Sequence, residues 1–132
     1  SILIYWGIKK LSTPETQSAI KDRMKELGKS GEATTHSDAQ LATYADQIEE
    51  ALAKYSDWDD DEEAAMDILL EMDNELDVLR LIQIYGTRSD RGFGVAMFSD
   101  KTLPQLVRNE LSATQITEIN NEYAARGINY AF

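Results

Sequence analysis

The stretch YSDWDDDEEAAMDILLEMDNELDVLRLIQIYG, residues 55–86, decides the fold of this chain. It begins with an acidic turn, continues as two segments with apolar stripes, and closes on Tyr85 and Gly86. Asp73 and Asn74 separate the two segments. Because apolar residues recur at helical spacing on both sides of this break, the stretch predicts two helices joined by a turn.

The two predicted helices begin with different caps. The first spans about 61–72 and is capped by Asp59 or Asp60, whereas Asn74 caps the second. Gly86 can adopt the left-handed backbone conformation that ends a helix. We expect six apolar side chains to face the core: Met66, Leu69, Leu70, Leu76, Leu79 and Ile82. Core packing is a commoner use of such a stripe than a cofactor pocket.

Three further helices are predicted around this pair. Ser37 and Gln40 have the spacing of a capping box and start a helix that ends near residue 54. After residue 101, one helix carries an apolar stripe made of Leu103, Leu106, Val107 and Leu111. Ser112 and Gln115 open the last helix, which Gly127 stops in a Schellman motif. The aromatic tail that follows is expected to dock on the domain.

An amphipathic helix is predicted before this domain. Pro14 would occupy its first position after a hydroxyl cap, and Gly28 would end it. The polar segment after Gly28 is the best linker candidate, and it contains His36, the only histidine of the chain. The two functional alternatives for this side chain are a metal ligand and a pH-sensitive contact. With no second histidine in the sequence, an exposed linker position is favoured.

The predicted fold class is therefore all-α, and 132 residues fit one domain with a single core. The chain divides into an apolar N-terminal segment (1–11), an amphipathic helix with its linker (12–36), and a compact domain of five helices (37–132).

The N-terminal segment SILIYWGIKK has the order in which a membrane-spanning helix leaves a bilayer. Its apolar residues lead to Tyr5 and Trp6, which suit the interface, and then to Lys9 and Lys10 beyond it. A span needs about 20 residues, so on this interpretation the segment is the end of a longer transmembrane helix. The alternative is that its apolar side chains pack on the domain.

The chain is strongly acidic, with 24 Asp and Glu residues against 13 Lys and Arg residues. The net charge of −11 repels phosphates, so no nucleic-acid partner is expected. The absence of cysteine from the sequence excludes disulfides, thiol chemistry and Cys-ligated zinc.

The acidic turn admits two interpretations. Asp57, Asp59 and Asp61 have the spacing that begins an EF-hand calcium loop. The sixth position of that loop is Glu62 rather than Gly, and the twelfth is Ile68 rather than Glu. Capping of the next helix, where acids complement the helix dipole, is therefore favoured over calcium binding.

Residues 87–101 are predicted to form a long loop. Phe93, Met97 and Phe98 make it more apolar than a solvated connection, and loops of this length are more often functional than minimal. These side chains either fold back on the core or contact a protein partner. We expect Phe98 to point inward, because it borders the next helix, and Phe93 to point outward between its glycines.

The order of these elements resembles one annexin-type repeat. The resemblance is carried by the acidic first turn, a helix that closes on a Tyr-Gly pair (85–86), and a helix that ends in Glu-Leu-Ser (110–112). It implies a five-helix fold and calcium bound by a Gly-rich turn and a downstream acid, which Glu110 matches. The turn at 56–60 has no glycine, which disfavours that ion. Isolated repeats with a tail like residues 127–132 resemble accessory or structural proteins of bacteria and their phages.

Three functions are weighed. We favour a non-enzymatic interaction or structural module, with a protein partner or a second copy, tethered to a membrane in a virion or cell envelope. An exposed apolar loop usually marks such a partner site. The alternatives are a calcium-linked membrane-binding domain and an enzyme with an unrecognised site. Adjacent acids such as Glu49 and Glu50 point apart by ~100° on a helix, so a solvated acidic face is favoured over acid-base catalysis. No cofactor is predicted.

Overall fold

The computed structural model describes residues 14–53, 61–89 and 100–132. In these ranges the chain forms six helices and two short strands: α1 (Gln17–Lys29), α2 (Asp38–Leu52), α3 (Glu62–Leu69), α4 (Glu75–Tyr85), β1 (Thr87–Ser89), β2 (Asp100–Thr102), α5 (Leu103–Glu110) and α6 (Ala113–Ala125). The chain is mostly helical, which confirms the predicted all-α class. The two strands are a small addition to it.

Helix α4 forms the centre of the core because it is buried around most of its circumference. It packs against α1, α2 and α5. Its fully buried apolar side chains are Val78, Leu79, Leu81 and Ile82. Helix α2 contributes a second row to the same core: Leu41, Ala45, Ile48 and Leu52.

The apolar stripes predicted on α3 and α4 are confirmed, and so is the amphipathic character of α1. The buried members are Ile20, Leu27, Leu69, Leu76, Leu79 and Ile82. The partly buried members, which pack against the same core, are Met24, Met66 and Leu70.

Three predicted helix caps are confirmed. The Ser37 hydroxyl caps α2. The Oδ1 atom of Asn74 accepts a hydrogen bond from the backbone N–H of Asp77 at 2.8 Å, at the start of α4. Ser112 and Gln115 form a complete capping box at the start of α6, in which each side chain accepts from the backbone N–H of the other residue. Two orphan N–H groups are thereby satisfied at once.

Gly127 ends α6 as predicted. Its φ of +76° lies in the region that favours glycine. Its N–H donates to the carbonyl of Ala124, and the N–H of Ile128 donates to the carbonyl of Tyr123. These two bonds define the Schellman motif that the sequence predicts.

The tail after this glycine docks on the domain, which confirms that prediction. The side-chain amide of Asn120 donates to the carbonyl of Phe132 at 3.1 Å and accepts from its N–H at 2.8 Å. Tyr130 is buried, and its hydroxyl donates to the carbonyl of Pro14 at 3.3 Å. The tail therefore contacts the residues that precede α1.

Both predicted ends of α1 are wrong. The N-cap is Thr16, whose hydroxyl accepts from the N–H of Ala19 at 3.1 Å, so Pro14 lies before the helix. Gly31, with φ +86°, rather than Gly28, takes the left-handed conformation that closes the helix. In each case the chain offers two suitable residues within three positions, and local chemistry does not choose between them.

The described ends of the predicted loop of residues 87–101 are strands, and residues 90–99 lie outside the described residues. Strands β1 and β2 pair antiparallel, with Ser89 opposite Asp100. Thr102 then forms a capping box with Gln105 and starts α5. Each strand has three residues, too few for an alternating pattern to identify them in the sequence.

Candidate functional site

Most of the predicted binding residues lie outside the described residues. They are the partner contacts Phe93, Met97 and Phe98, the membrane-interface residues Tyr5, Trp6, Lys9 and Lys10, and the calcium-ligand candidates Asp57 and Asp59. Their proposed roles therefore stay predictions. In the part of the chain that is described, no helix has the length and apolar character needed to cross a membrane.

Two of the calcium-ligand candidates can be placed. The Oδ1 atom of Asp61 accepts from the N–H of Ala64 at 3.0 Å and caps α3. An acid therefore caps this helix, as the capping interpretation expects, but the predicted position, Asp59 or Asp60, is wrong. Glu110 is the last residue of α5 and is half-buried. Within the ranges 14–53, 61–89 and 100–132, neither carboxylate belongs to a group of three ligand atoms close enough to hold an ion.

An open polar cleft of about 430 Å³ lies beside β2 and α5. The described residues that line it are Asp100, Lys101, Gln105, Arg108 and Asn109. Arg108 also forms an ion pair with Glu15, which precedes α1. The walls carry positively charged side chains, a negatively charged side chain and two amides. The cleft therefore suits a polar peptide segment better than an apolar small molecule.

Arg88 fixes strand β1 on helix α2. Its Nη1 atom lies 2.9 Å from Asp46 Oδ1 and 3.0 Å from Glu49 Oε1, and its Nε donates to the carbonyl of Tyr85 at 3.0 Å. The guanidinium carbon lies 4.6 Å from the centre of the Tyr85 ring, within the range of a cation–π contact. Burial lowers the pKa of Arg88, but the hydrogen bonds to the two carboxylates outweigh it and raise the pKa above its usual value.

A polar cluster joins the segment before α2 to the first turn of α4. Asp77 is fully buried, and its carboxylate accepts four hydrogen bonds. The donors are the N–H of Thr35 at 2.8 Å, the N–H of His36 at 3.3 Å, the hydroxyl of Thr35 at 2.5 Å and the N–H of Asp73 at 3.1 Å. Burial raises the pKa of Asp77, but these bonds outweigh it and hold the pKa below its usual range.

His36 is part of this cluster, so the prediction of an exposed linker position is wrong. Its side chain is only 18% exposed. The Nε2 atom lies 2.9 Å from the carbonyl oxygen of Glu71, and the ring meets Tyr44 edge-on, with centroids 5.6 Å apart. A carbonyl can only accept, so Nε2 carries a proton in this arrangement. The hydrogen bonds to Asp77 hold the backbone at 35–36 against α4, which is why the histidine is covered.

A second contact ties α1 to the same turn of α4. Arg23 donates from Nε to Glu75 Oε2 at 2.7 Å and from Nη2 to Oε1 at 3.0 Å. The Glu75 side chain is 7% exposed, and that of Arg23 is 33% exposed. The bidentate bonds to Glu75 raise the pKa of Arg23, against the opposing effect of burial. The turn that starts α4 therefore anchors both α1 and the segment that follows it.

Comparisons with protein-family models, with curated proteins and with solved structures gave no match. The chemistry of the residues themselves therefore has to support any functional assignment.

Proposed function

We propose that this chain is a non-enzymatic interaction module with an annexin-like helical architecture. Its partner contact lies in the segment between β1 and β2, and its setting is a structural component of a virion or cell envelope. The observation that carries this proposal is the way in which the described residues hold both ends of that segment.

The strand register brings the two ends together. Ser89 lies opposite Asp100, so the segment 90–99 begins and ends at adjacent points of the domain. This segment contains Phe93 and Phe98, side chains of the type that anchor interfaces. A binding segment is effective when its base is rigid, because less conformational entropy is then lost on binding.

Each strand is also fixed to a helix. Arg88 bonds β1 to α2 through Asp46 and Glu49. Thr102 joins β2 to α5 through the capping box with Gln105. The two strands that flank the segment are thus attached to two different helices. Binding loops in other proteins are held by rigid scaffolds in the same way.

The charge of the chain favours a partner with a basic surface. At a net charge of −11, two copies of the chain repel each other at long range, whereas a basic protein is attracted. The polar cleft beside β2, lined by both charges, offers secondary contacts at the edge of the segment.

Photo-crosslinking tests the proposal. A benzophenone amino acid replaces Phe93 in one variant and Lys25, an exposed residue of α1, in a matched control. We expect a discrete adduct at position 93, in the cells that make the protein, which is missing at position 25. The same adducts at both positions, or none at position 93, would contradict the proposal. Adducts in the purified protein alone would identify a second copy as the partner.

A further inference from the structure

Three metal-ligating side chains converge where the segment before α2 crosses the turn between α3 and α4. The ligand atoms of His36, Asp73 and Asp77 all lie within 4.8 Å of one another. The His36 Nε2 atom is 3.5 Å from Asp73 Oδ2. Ligand atoms about 2.0–2.2 Å from a shared ion lie roughly 3–4 Å apart, so these positions need only a small adjustment to surround one.

The charge at this point is not neutralised by the described residues. Asp77 is fully buried, yet the four groups that donate hydrogen bonds to its carboxylate are all uncharged. Asp73 adds a second carboxylate next to it. Among the described ion pairs, Asp73 contacts His36 alone and Asp77 contacts no Lys or Arg. A buried charge is ordinarily paired or bound to a metal.

The hydroxyl of Thr35 shows where positive charge is missing. Its oxygen lies 2.8 Å from Asp73 Oδ2 and 2.5 Å from Asp77 Oδ2. A hydroxyl has one proton, so it cannot donate fully to two carboxylates at once. One of these two close oxygen–oxygen contacts therefore lacks a full hydrogen bond. It lies beside the ring nitrogen of His36.

We propose that His36, Asp73 and Asp77 bind a divalent transition-metal ion of the zinc class. An imidazole with two carboxylates suits Zn²⁺ or Co²⁺, whereas Ca²⁺ and Mg²⁺ prefer oxygen ligands throughout. The neutral imidazole moves its proton from Nε2 to Nδ1, which frees the Nε2 lone pair for the ion. The carbonyl of Glu71, now 2.9 Å from Nε2, then exchanges that hydrogen bond for a contact with the ion.

The site is open enough to load from solution. The side chain of Asp73 is 61% exposed, so an ion and its water can enter beside it. When bound, the ion joins the segment before α2 to the start of α4 and strengthens an attachment that Asp77 already makes. This site is separate from the acidic turn and does not depend on the proposed partner segment.

Titration calorimetry of the metal-free chain with ZnCl₂ tests the site. We expect one ion per chain, with affinity at least about tenfold weaker in His36→Gln and in Asp73→Asn. Glutamine can still donate to the Glu71 carbonyl, so the first variant removes the ligand nitrogen but keeps the hydrogen bond. Asp67 is an exposed acid on α3. Asp67→Asn changes the net charge as Asp73→Asn does, but it should bind zinc like the wild type.

Two outcomes overturn the proposal. One is a wild-type chain that does not bind Zn²⁺. The other is a loss of affinity in Asp67→Asn as large as that in Asp73→Asn, with His36→Gln unchanged, which would indicate general attraction to an acidic surface. Circular dichroism checks that the variants fold. Should one unfold, the wild type decides: the ¹⁵N shift of His36 Nε2 must move on zinc addition, and an unchanged shift refutes coordination.

Discussion

The two halves of α4 are buried by different chemistry. The first turn carries Glu75 and Asp77, acids that are buried and hold α1 and the segment after it through hydrogen bonds and an ion pair. The later turns carry Leu79, Leu81 and Ile82, which are fully buried in the apolar core. One helix therefore serves as a polar anchor at its start and as the centre of the core at its end.

The apolar and polar halves of α4 contribute differently: the first stabilises the domain, and the second fixes how α1 is positioned on it. Apolar burial is non-directional and scales with area, so the later turns stabilise the domain without fixing how α1 lies on it. Hydrogen bonds to a buried carboxylate require defined donor positions, and the first turn therefore sets the register of α1 and its linker. It also makes that attachment sensitive to pH, which the apolar half is not.

The largest expected effect is in the apolar half. Leu79→Ala should lower the free energy of unfolding by about 2–5 kcal/mol, because it leaves a cavity at a position with no exposed surface. Urea denaturation measures the loss. Ile84→Ala, on the same helix but only partly buried, serves as the control and should cost less. A smaller loss for Leu79 than for Ile84 would mean that the later turns are not the centre of the core.

A smaller but pH-dependent effect is expected in the polar half. In Asp77→Asn an amide replaces one acceptor oxygen, so the partly buried hydrogen bonds from Thr35 and Asp73 are lost, at a cost of about 1–3 kcal/mol. Because the folded pKa of Asp77 lies below its unfolded value, its contribution to stability is complete well above the unfolded pKa and is lost as pH falls through the folded pKa.

Urea denaturation at neutral pH and again in acid, below the folded pKa of Asp77, tests this sign. The difference in stability between the wild type and Asp77→Asn should shrink in acid, since the wild-type carboxylate is then protonated as well. A difference that stays constant with pH would show that the ionised form of Asp77 is not what holds the segment before α2.

Local chemistry explains which parts of the fold can be predicted. Asn74, Ser112 and Gly127 act on residues within a few positions of themselves, so their spacing in the sequence is enough to identify the caps and the helix stop. The apolar stripes are likewise periodic over single helices. These features fix the all-α class and the core.

The polar anchor cannot be read in the same way, because its partners are far apart in the chain. Thr35 and Asp77 are separated by 42 positions, and Arg23 and Glu75 by 52. In the sequence, both acids look like ordinary first-turn residues that complement a helix dipole. The one available signal is that Asp77 lies between Leu76 and Val78 in an apolar helix, where an acid must find partners when buried.

The third prediction concerns the ion pair that holds α1. Glu75→Gln keeps the shape of the side chain but removes its charge beside Arg23. Because Arg23 is 33% exposed, water screens the charge left behind, and we expect a loss of roughly 1–2 kcal/mol rather than the larger cost of a fully buried pair. Urea denaturation measures it.

Asp38→Asn is the matched control. It removes an ion pair of the same kind, in which the partner on α4 is Arg80. Arg80 of α4 holds Asp38 through Nε at 2.9 Å and Nη2 at 2.8 Å, the same two-bond geometry. The Asp38 side chain is 65% exposed, however, and exposed pairs contribute little because water and salt screen them. We expect this variant to have the same free energy of unfolding as the wild type. If it lost as much stability as Glu75→Gln, bond geometry rather than burial would determine the strength of the anchor, and the first turn of α4 would have no special role.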